Sequence, residues 1–323
     1  MYKNITHRKV FLSTVLIFAL VLAMTSCGSE PVEEGAPPQP EVTAPEEAAP
    51  VPDPEPEPDQ ESEYEQLVIP GGPYAGAFTF SNESGTKLMV MPDSSYSVGN
   101  APESFDVAIG PGGKTLQVKY SGTQEGTGDP GDYISPNSQN FEAMFGHVFE
   151  VIGGKVEPDI PYFVTTSGVF AKSMISIKAD TNMGWRQEPL PVARDSAIKK
   201  HENEKGLKVI YSETLATVGS GGYLELFQYE RDGNNMLFEI VYDDGTQEIV
   251  AEFPAEYDEY STWRADAGDS PGIWIPMFFC EIEDTLVMST LWAAPEGGNL
   301  TVWFDNGGVW TQDEYLTTYW YWG

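Results

Sequence analysis

Between residues 67 and 323 apolar and polar side chains alternate with a period of two in short runs broken by turn residues, and helical periodicity is scarce. SFDVAI and TLQVKY flank GPGG and place Phe105, Val107, Ile109, Leu116, Val118 and Tyr120 on apolar faces, which predicts a β-hairpin. FTFS and KLMVM around NESG predict another. Two stretches suit short helices: SQNFEAMF, with Ser138 as cap and Phe141, Met144 and Phe145 on one face, and SAIKKHENEK, stopped by Gly206.

The stretch from 223 to 253 tests the pattern more strictly, because two Asp-Gly dipeptides set the register on both sides of one strand. Taking Asp232-Gly233 as a two-residue loop pairs Phe227 with Phe238 and Tyr229 with Met236. Taking Asp244-Gly245 as the next pairs Ile240 with Ile249 and Phe238 with Ala251. Both loops put Phe238 on the apolar face, while Glu239, Glu248 and Glu252 fall on the other. The expected fold class is mainly β, with antiparallel meanders forming a β-sandwich or a barrel-like domain. Prolines, a helix candidate and a local excess of basic residues interrupt the strands at 184 to 206. That interruption suggests two β-rich subdomains, 67–185 and 206–323, the second rich in Trp; one continuous sandwich is the alternative.

Residues 1–26 have the form of an export signal: Lys3, Arg8 and Lys9 lead into an uncharged, mostly apolar run of 15 residues from Val10 to Met24. That run is short of the roughly 20 residues a membrane-spanning helix needs. It ends in Ala23-Met24-Thr25-Ser26-Cys27, which resembles the lipobox of bacterial lipoproteins, with Met24 where Leu is usual. The resemblance is confined to residues 1–29. It implies that Cys27 takes a diacylglyceryl thioether and becomes the first residue of the mature chain, held at a membrane by its acyl chains.

Charge changes the picture beyond Cys27. Residues 30 to 66 hold 13 Asp or Glu, ten Pro and no Lys or Arg. Such chain buries too little apolar surface to offset its conformational entropy, so 27–66 is expected to be a disordered acidic stalk. In the extended proline-favoured form it reaches on the order of 100 Å. From residue 67 onward, 14 basic against 37 acidic residues leave −23 of the −33 total. A surface so anionic repels phosphates, which argues against nucleic acid as a partner. With Cys27 lipidated, Cys280 has no intramolecular partner, and in the apolar run WIPMFFCEIE it reads as a buried small hydrophobe.

Chemistry-bearing motifs are few. The three histidines are His7, His147 and His201, and neither GxSxG, HExxH nor a P-loop occurs. Ser220 in VGSGG reads as a turn residue. Asp129 with Asp132, Asp243 with Asp244, and Asp266 with Asp269 could offer oxygens to Ca²⁺, yet each sits beside Gly or Pro where turns favour Asp. No cofactor, metal or catalytic residue is expected, and an enzyme, as a hydrolase, is the weakest reading. Seven of eight tryptophans lie between 263 and 322. A two-residue Asn306-Gly307 turn would set Trp303 beside Trp310, opposite Val302, Phe304 and Val309. The pair is either core or an exposed platform for a sugar, with Thr301, Gln312, Asp313 and Glu314 nearby. The expectation is therefore an exported, membrane-anchored envelope lipoprotein that presents a β-rich binding domain for a glycan or another envelope component. The alternative is a structural or assembly lipoprotein that meets a protein partner.

Overall fold

The computed structural model describes residues 75–91, 101–127, 135–181, 189–294 and 296–321. The expected signal and stalk, Cys27, Asp129, Asp132 and Trp322 lie outside the described residues. All described residues belong to one compact unit, Leu67–Gly323. It is mainly antiparallel β, with a six-stranded closed barrel and two five-stranded sheets. Among the described residues no helix is long and apolar enough to cross a membrane.

The barrel holds β1 (Gly76–Ser81), β2 (Lys87–Val90), β3 (Val107–Ile109), β4 (Thr115–Gln124), β5 (Gly146–Ile152) and β6 (Tyr162–Thr165). Its order is β1-β2-β5-β4-β3-β6, and β6 pairs back onto β1 with Val164 opposite Ala77. Both predicted hairpins form: Phe80 faces Met89 across β1 and β2, and Ala108 faces Leu116 across β3 and β4. Ala77, Leu88, Val90, Ala108 and Phe149 share one core, while Phe78, Phe80, Met89, Ile109 and Phe163 enter another. Burial of both strand faces explains the near-continuous apolar runs of β1 and β2.

The inner sheet has the order β16-β15-β14-β13-β7, from β16 (Trp310–Tyr321), β15 (Gly297–Asp305), β14 (Thr285–Ala294), β13 (Ile273–Ile282) and β7 (Met174–Ile175). One face of it packs on the barrel through Ile275, Phe278, Cys280, Leu300, Val302 and Trp320. The outer sheet runs β12-β11-β10-β9-β8, from β12 (Glu248–Glu256), β11 (Asn235–Asp243), β10 (Gly222–Tyr229), β9 (Val209–Val218) and β8 (Ile177–Ala179). Leu224, Phe238, Ile240 and Ile249 of that sheet meet Trp274, Phe279 and Trp303 of the inner one. A helix, α1 (Asp195–Lys205), covers the far side of the outer sheet with Ala197 against Phe227, Tyr229 and Val241. The unit is thus layered barrel, sheet, sheet, helix. β7 and β8 both precede residue 185 and yet pair with β13 and β9.

α1 forms over the expected residues and stops at Gly206, whose φ of 69° is the left-handed conformation glycine adopts freely. The other expected helix does not form. Only a 3-10 turn, Phe141–Ala143, appears, and the Ser138 backbone N–H and hydroxyl donate to Asp159 instead of capping it. The meander forms with shifted registers. Gln228, not Phe227, faces Phe238, and Phe238 faces Phe253 rather than Ala251. The Asp244 turn closes four residues, 244 to 247, because the Asp244 carboxylate accepts the N–H groups of Thr246 and Gln247. The one-residue shift on the β10 side moves Phe227 onto the face of Glu239, the face that α1 covers.

Candidate functional site

Trp303 and Trp310 are both buried, at 7% and 4% exposure, so the exposed platform is not formed. They are not cross-strand partners either: Trp303 faces Gln312 and Asp305 faces Trp310. The turn holds four residues, Asn306 to Val309, closed by the Asn306 N–H on the Val309 carbonyl at 2.9 Å. Gly307 and Gly308 both take positive φ, and the Gly308 carbonyl accepts the Val250 N–H of the outer sheet at 3.0 Å. That bond draws the turn toward the outer sheet, which covers the tryptophans. Trp303 packs edge-on against Phe253, and Trp310 against Tyr242 and Phe279. The Trp303 indole N–H donates to Thr290 Oγ1 at 2.9 Å.

The densest group of chemistry-bearing side chains lies where α1 meets the outer sheet. Glu225 and Glu239 project from the interior of β10 and β11 at 1% and 0% exposure. Buried carboxylates persist only when paired. Arg194, just ahead of α1, donates to Glu225 through its backbone N–H at 2.7 Å, Nε at 3.1 Å and Nη2 at 2.9 Å, and through Nη2 to Asp243 at 2.9 Å. Its guanidinium lies 4.2 Å over the Tyr223 ring.

Further along the helix, His201 stacks on Phe227 and puts Nδ1 2.7 Å from Glu239 Oε1, an ion-pair contact not aligned as a hydrogen bond. Lys205 Nζ stands 3.2 Å from Glu239 Oε2 and also pairs with Glu252. The Tyr229 hydroxyl donates to Glu239 Oε1. Burial opposes the charge of His201, but Glu239, Glu248 and Glu204 outweigh it and hold the imidazole above its ordinary pKa. Burial likewise opposes the charge of Glu239, and His201, Tyr229 and Lys205 outweigh it and hold the carboxyl below its ordinary pKa. Burial and the adjacent Glu239 push the Tyr229 phenol far up, so it stays a donor.

His201, Glu204 and Glu248 each bring one ligand atom within 4.8 Å of the others. The donor set fits ion pairing better than a metal. Glu204 approaches Nδ1 at 3.7 Å and Glu248 approaches Nε2 at 3.5 Å, so the carboxylates address different ring nitrogens. Lys200 already pairs with Glu248. With His201 2% and Glu239 0% exposed, neither meets a dissolved substrate, and what the cluster does chemically is fasten α1 to the sheet. Alternation along the strands assigns Glu239, Glu248 and Glu252 to the face opposite Phe238 and does not say what covers it. The signal that points to the cluster is the local excess of basic residues around the helix candidate, Arg194, Lys199, Lys200, His201 and Lys205, which in the sequence alone suggests a boundary between subdomains.

The remaining candidates are structural. Asp244 closes its own turn, and the Thr246 hydroxyl with the Thr246 and Gln247 N–H groups lowers its pKa to about 2. Asp266 takes a φ of 57° and Asp269 accepts Gln228 Nε2 at its backbone carbonyl. Ser220 lies in the turn between β9 and β10, and His147 on β5 bonds the Tyr120 hydroxyl at 3.1 Å. Cys280 is fully buried between inner sheet and barrel, which pushes its thiol up to about 12. Comparison with protein-family models, curated proteins and solved structures finds no match to this chain.

Proposed function

We propose that the chain is an exported envelope lipoprotein, anchored through acyl chains on Cys27, which holds a β-rich binding unit away from the membrane on an acidic, proline-rich stalk. The observation that carries this reading is the position of Cys27. It ends an uncharged, mostly apolar run of lipobox-like form and starts a segment with 13 acidic residues, ten prolines and no basic residue. Two or more acyl chains suffice for stable anchoring where one is marginal. The unit has the build of a scaffold, since its acids and bases lock α1 to a sheet and its tryptophans fill the space between sheets. Its contribution is to bind a component of the envelope.

The test is expression of wild type and Cys27→Ala in a bacterium, followed by detergent phase partition and labelling with a radioactive fatty acid. Wild type should enter the detergent phase and carry label, and Cys27→Ala should do neither. Equal partition of the two proteins overturns the anchor.

A further inference from the structure

We propose that Arg264, held near Tyr319 at the ends of β14 to β16, receives the carboxylate of an acidic sugar, a hexuronate unit of a glycan. This deepens the binding reading above and rests on it.

The chain between β12 and β13 runs 16 residues, 257 to 272, without a strand of its own. Connections of that length inside a compact unit are usually functional. This one is tightly built. Asp258 Oδ1 accepts the N–H groups of Tyr260 and Ser261, and Thr262 and Gly268 bond back across the loop at 3.0 and 2.8 Å. Trp263 pins it to the outer sheet, with its indole N–H on the Phe253 carbonyl at 3.0 Å and its ring edge-on to Phe238.

The next residue, Arg264, is thereby aimed at the inner sheet. Nη1 donates to Asn299 Oδ1 at 2.7 Å and Nη2 to the Trp292 carbonyl at 2.9 Å. The guanidinium lies 4.7 Å over the Trp292 ring, which stacks on Trp274. Strand register sets Trp274, Trp292, Asn299 and Tyr319 in one row across β13 to β16, with Tyr321 opposite Gly297 beside it. A Cβ on Gly297 would meet the Tyr319 ring at 2.6 Å, so the glycine gives that ring its place. The Tyr319 and Tyr321 rings meet edge to face at 4.8 Å. Arg264, Asn299, Tyr319 and Tyr321 are all partly exposed.

What singles out this place is charge. In a chain of net −33, exposed cations such as Arg231 also have no carboxylate partner among the described residues, but Arg264 is partly buried and still lacks one, whereas the partly buried Arg194 and Lys205 are both paired. Burial works against the guanidinium's charge, the Tyr319 phenol lies close enough to interact with it, and Glu296 acts on that phenol in turn. A guanidinium has five N–H donors. Two are used, the Nε donor is buried without a partner, and one on each Nη remains. A fixed cation lacking its anion, beside Tyr319 whose ring meets that of Tyr321, matches a ring that carries one carboxylate and presents CH groups and hydroxyls. The acidic surface disfavours polyanions, which directs the fit to a single uronate unit.

The test uses the full chain in detergent micelles, titrated with the monoanionic trisaccharide galacturonosyl-galactobiose, neutral galactotriose and glutarate, and read by tryptophan fluorescence and calorimetry. The expected result is saturable binding of galacturonosyl-galactobiose that weakens with salt and is at least about tenfold tighter than that of either control. Arg264→Gln should weaken it by a similar factor. Tyr319→Phe, which removes one hydroxyl and keeps the ring, should weaken it severalfold, and it decides the matter should Arg264→Gln fail to fold. Absence of saturation, equal binding of galactotriose or glutarate, or unchanged affinity in both variants overturns the proposal. Cys27→Ala should bind as wild type does, so loss of the anchor and loss of the sugar site read out separately.

Discussion

Glu239, at 0% exposure in the middle of β11, keeps its charge because His201, at 2% exposure on α1, stands 2.7 Å away. Neither side chain suits its surroundings alone: an isolated carboxylate in such a place would take up a proton, and an isolated imidazole would lose one. Together, with Lys205 and Tyr229, they turn a polar strand position into the fastening point of a helix. Placing the helix over this sheet also buries Phe227 and Val241, so the ionic and apolar parts of the contact support one another.

Stability should therefore depend on pH through this contact. The groups facing His201 are Glu204, Lys200 and Lys205 on its own helix, with Tyr229, Glu239 and Glu248 on β10, β11 and β12. His201 has a raised folded pKa, so its contribution is complete below the unfolded value near 6.5 and is lost as pH rises through the higher folded value. Glu239 has a lowered folded pKa, so its contribution is complete above the unfolded value near 4.3 and is lost as pH falls through the folded one. The lead in melting temperature of wild type over His201→Gln should be widest between these limits and should shrink on the alkaline side. A lead constant from pH 5 to 9 would mean that the charge of His201 plays no part in holding the helix.

Partners of the same cluster should differ sharply in cost. His201→Ala leaves a buried carboxylate short of its nearest charged partner, and such breaks cost about 3–5 kcal/mol. Lys200→Ala removes an ion pair whose lysine is 46% exposed, and pairs of that kind are worth at most about 1 kcal/mol. Urea denaturation of both variants, with the slope unchanged, checks the ordering.

Much of the fold is legible from local pattern. The hairpins at 78–91 and 105–120, the meander and the helix ended by Gly206 all stand where alternation and turn residues put them. Registers were less legible, because Asp-Gly and Asn-Gly suggest two-residue loops. The Asp244 carboxylate and the Gly308 bond to Val250 each lengthen the connection to four. The candidate site was legible only in part. Alternation tells which residues share a face, but not whether a helix or a second sheet covers that face. This is why alternation puts Glu239 on the face opposite Phe238 without showing that a helix buries it, and leaves the two tryptophans open between core and platform. Arg264 gave no sequence signal, because its meaning depends on carboxylates that are distant in space.

The two cysteines make a chemical count possible. Burial holds the Cys280 thiol at about 12, so the native protein should not react there with a thiol reagent at neutral pH. After denaturation a mature chain acylated on Cys27 should titrate one thiol and an unprocessed chain two. Two thiols in the mature, membrane-associated protein would contradict acylation on Cys27.

The tryptophans at 303 and 310 provide the last prediction, which separates two kinds of buried indole. Both fill the space between the sheets, and Trp303→Ala and Trp310→Ala should each cost about 3–5 kcal/mol, as deletions of buried aromatics do. Replacement by Phe removes less volume and tests the N–H instead. The Trp303 N–H donates to Thr290 Oγ1 at 2.9 Å, so Trp303→Phe loses a bond and leaves a buried hydroxyl short of a donor. The Trp310 N–H is buried with no partner among the described residues, so Trp310→Phe relieves an unsatisfied donor. An unmade buried hydrogen bond costs roughly 1–3 kcal/mol, and a made one contributes about 1 kcal/mol. Trp303→Phe should therefore destabilise the protein by at least about 1 kcal/mol more than Trp310→Phe in denaturant unfolding. If the two Phe variants are equally stable, the Trp310 N–H is satisfied after all and the contrast between the two sites disappears.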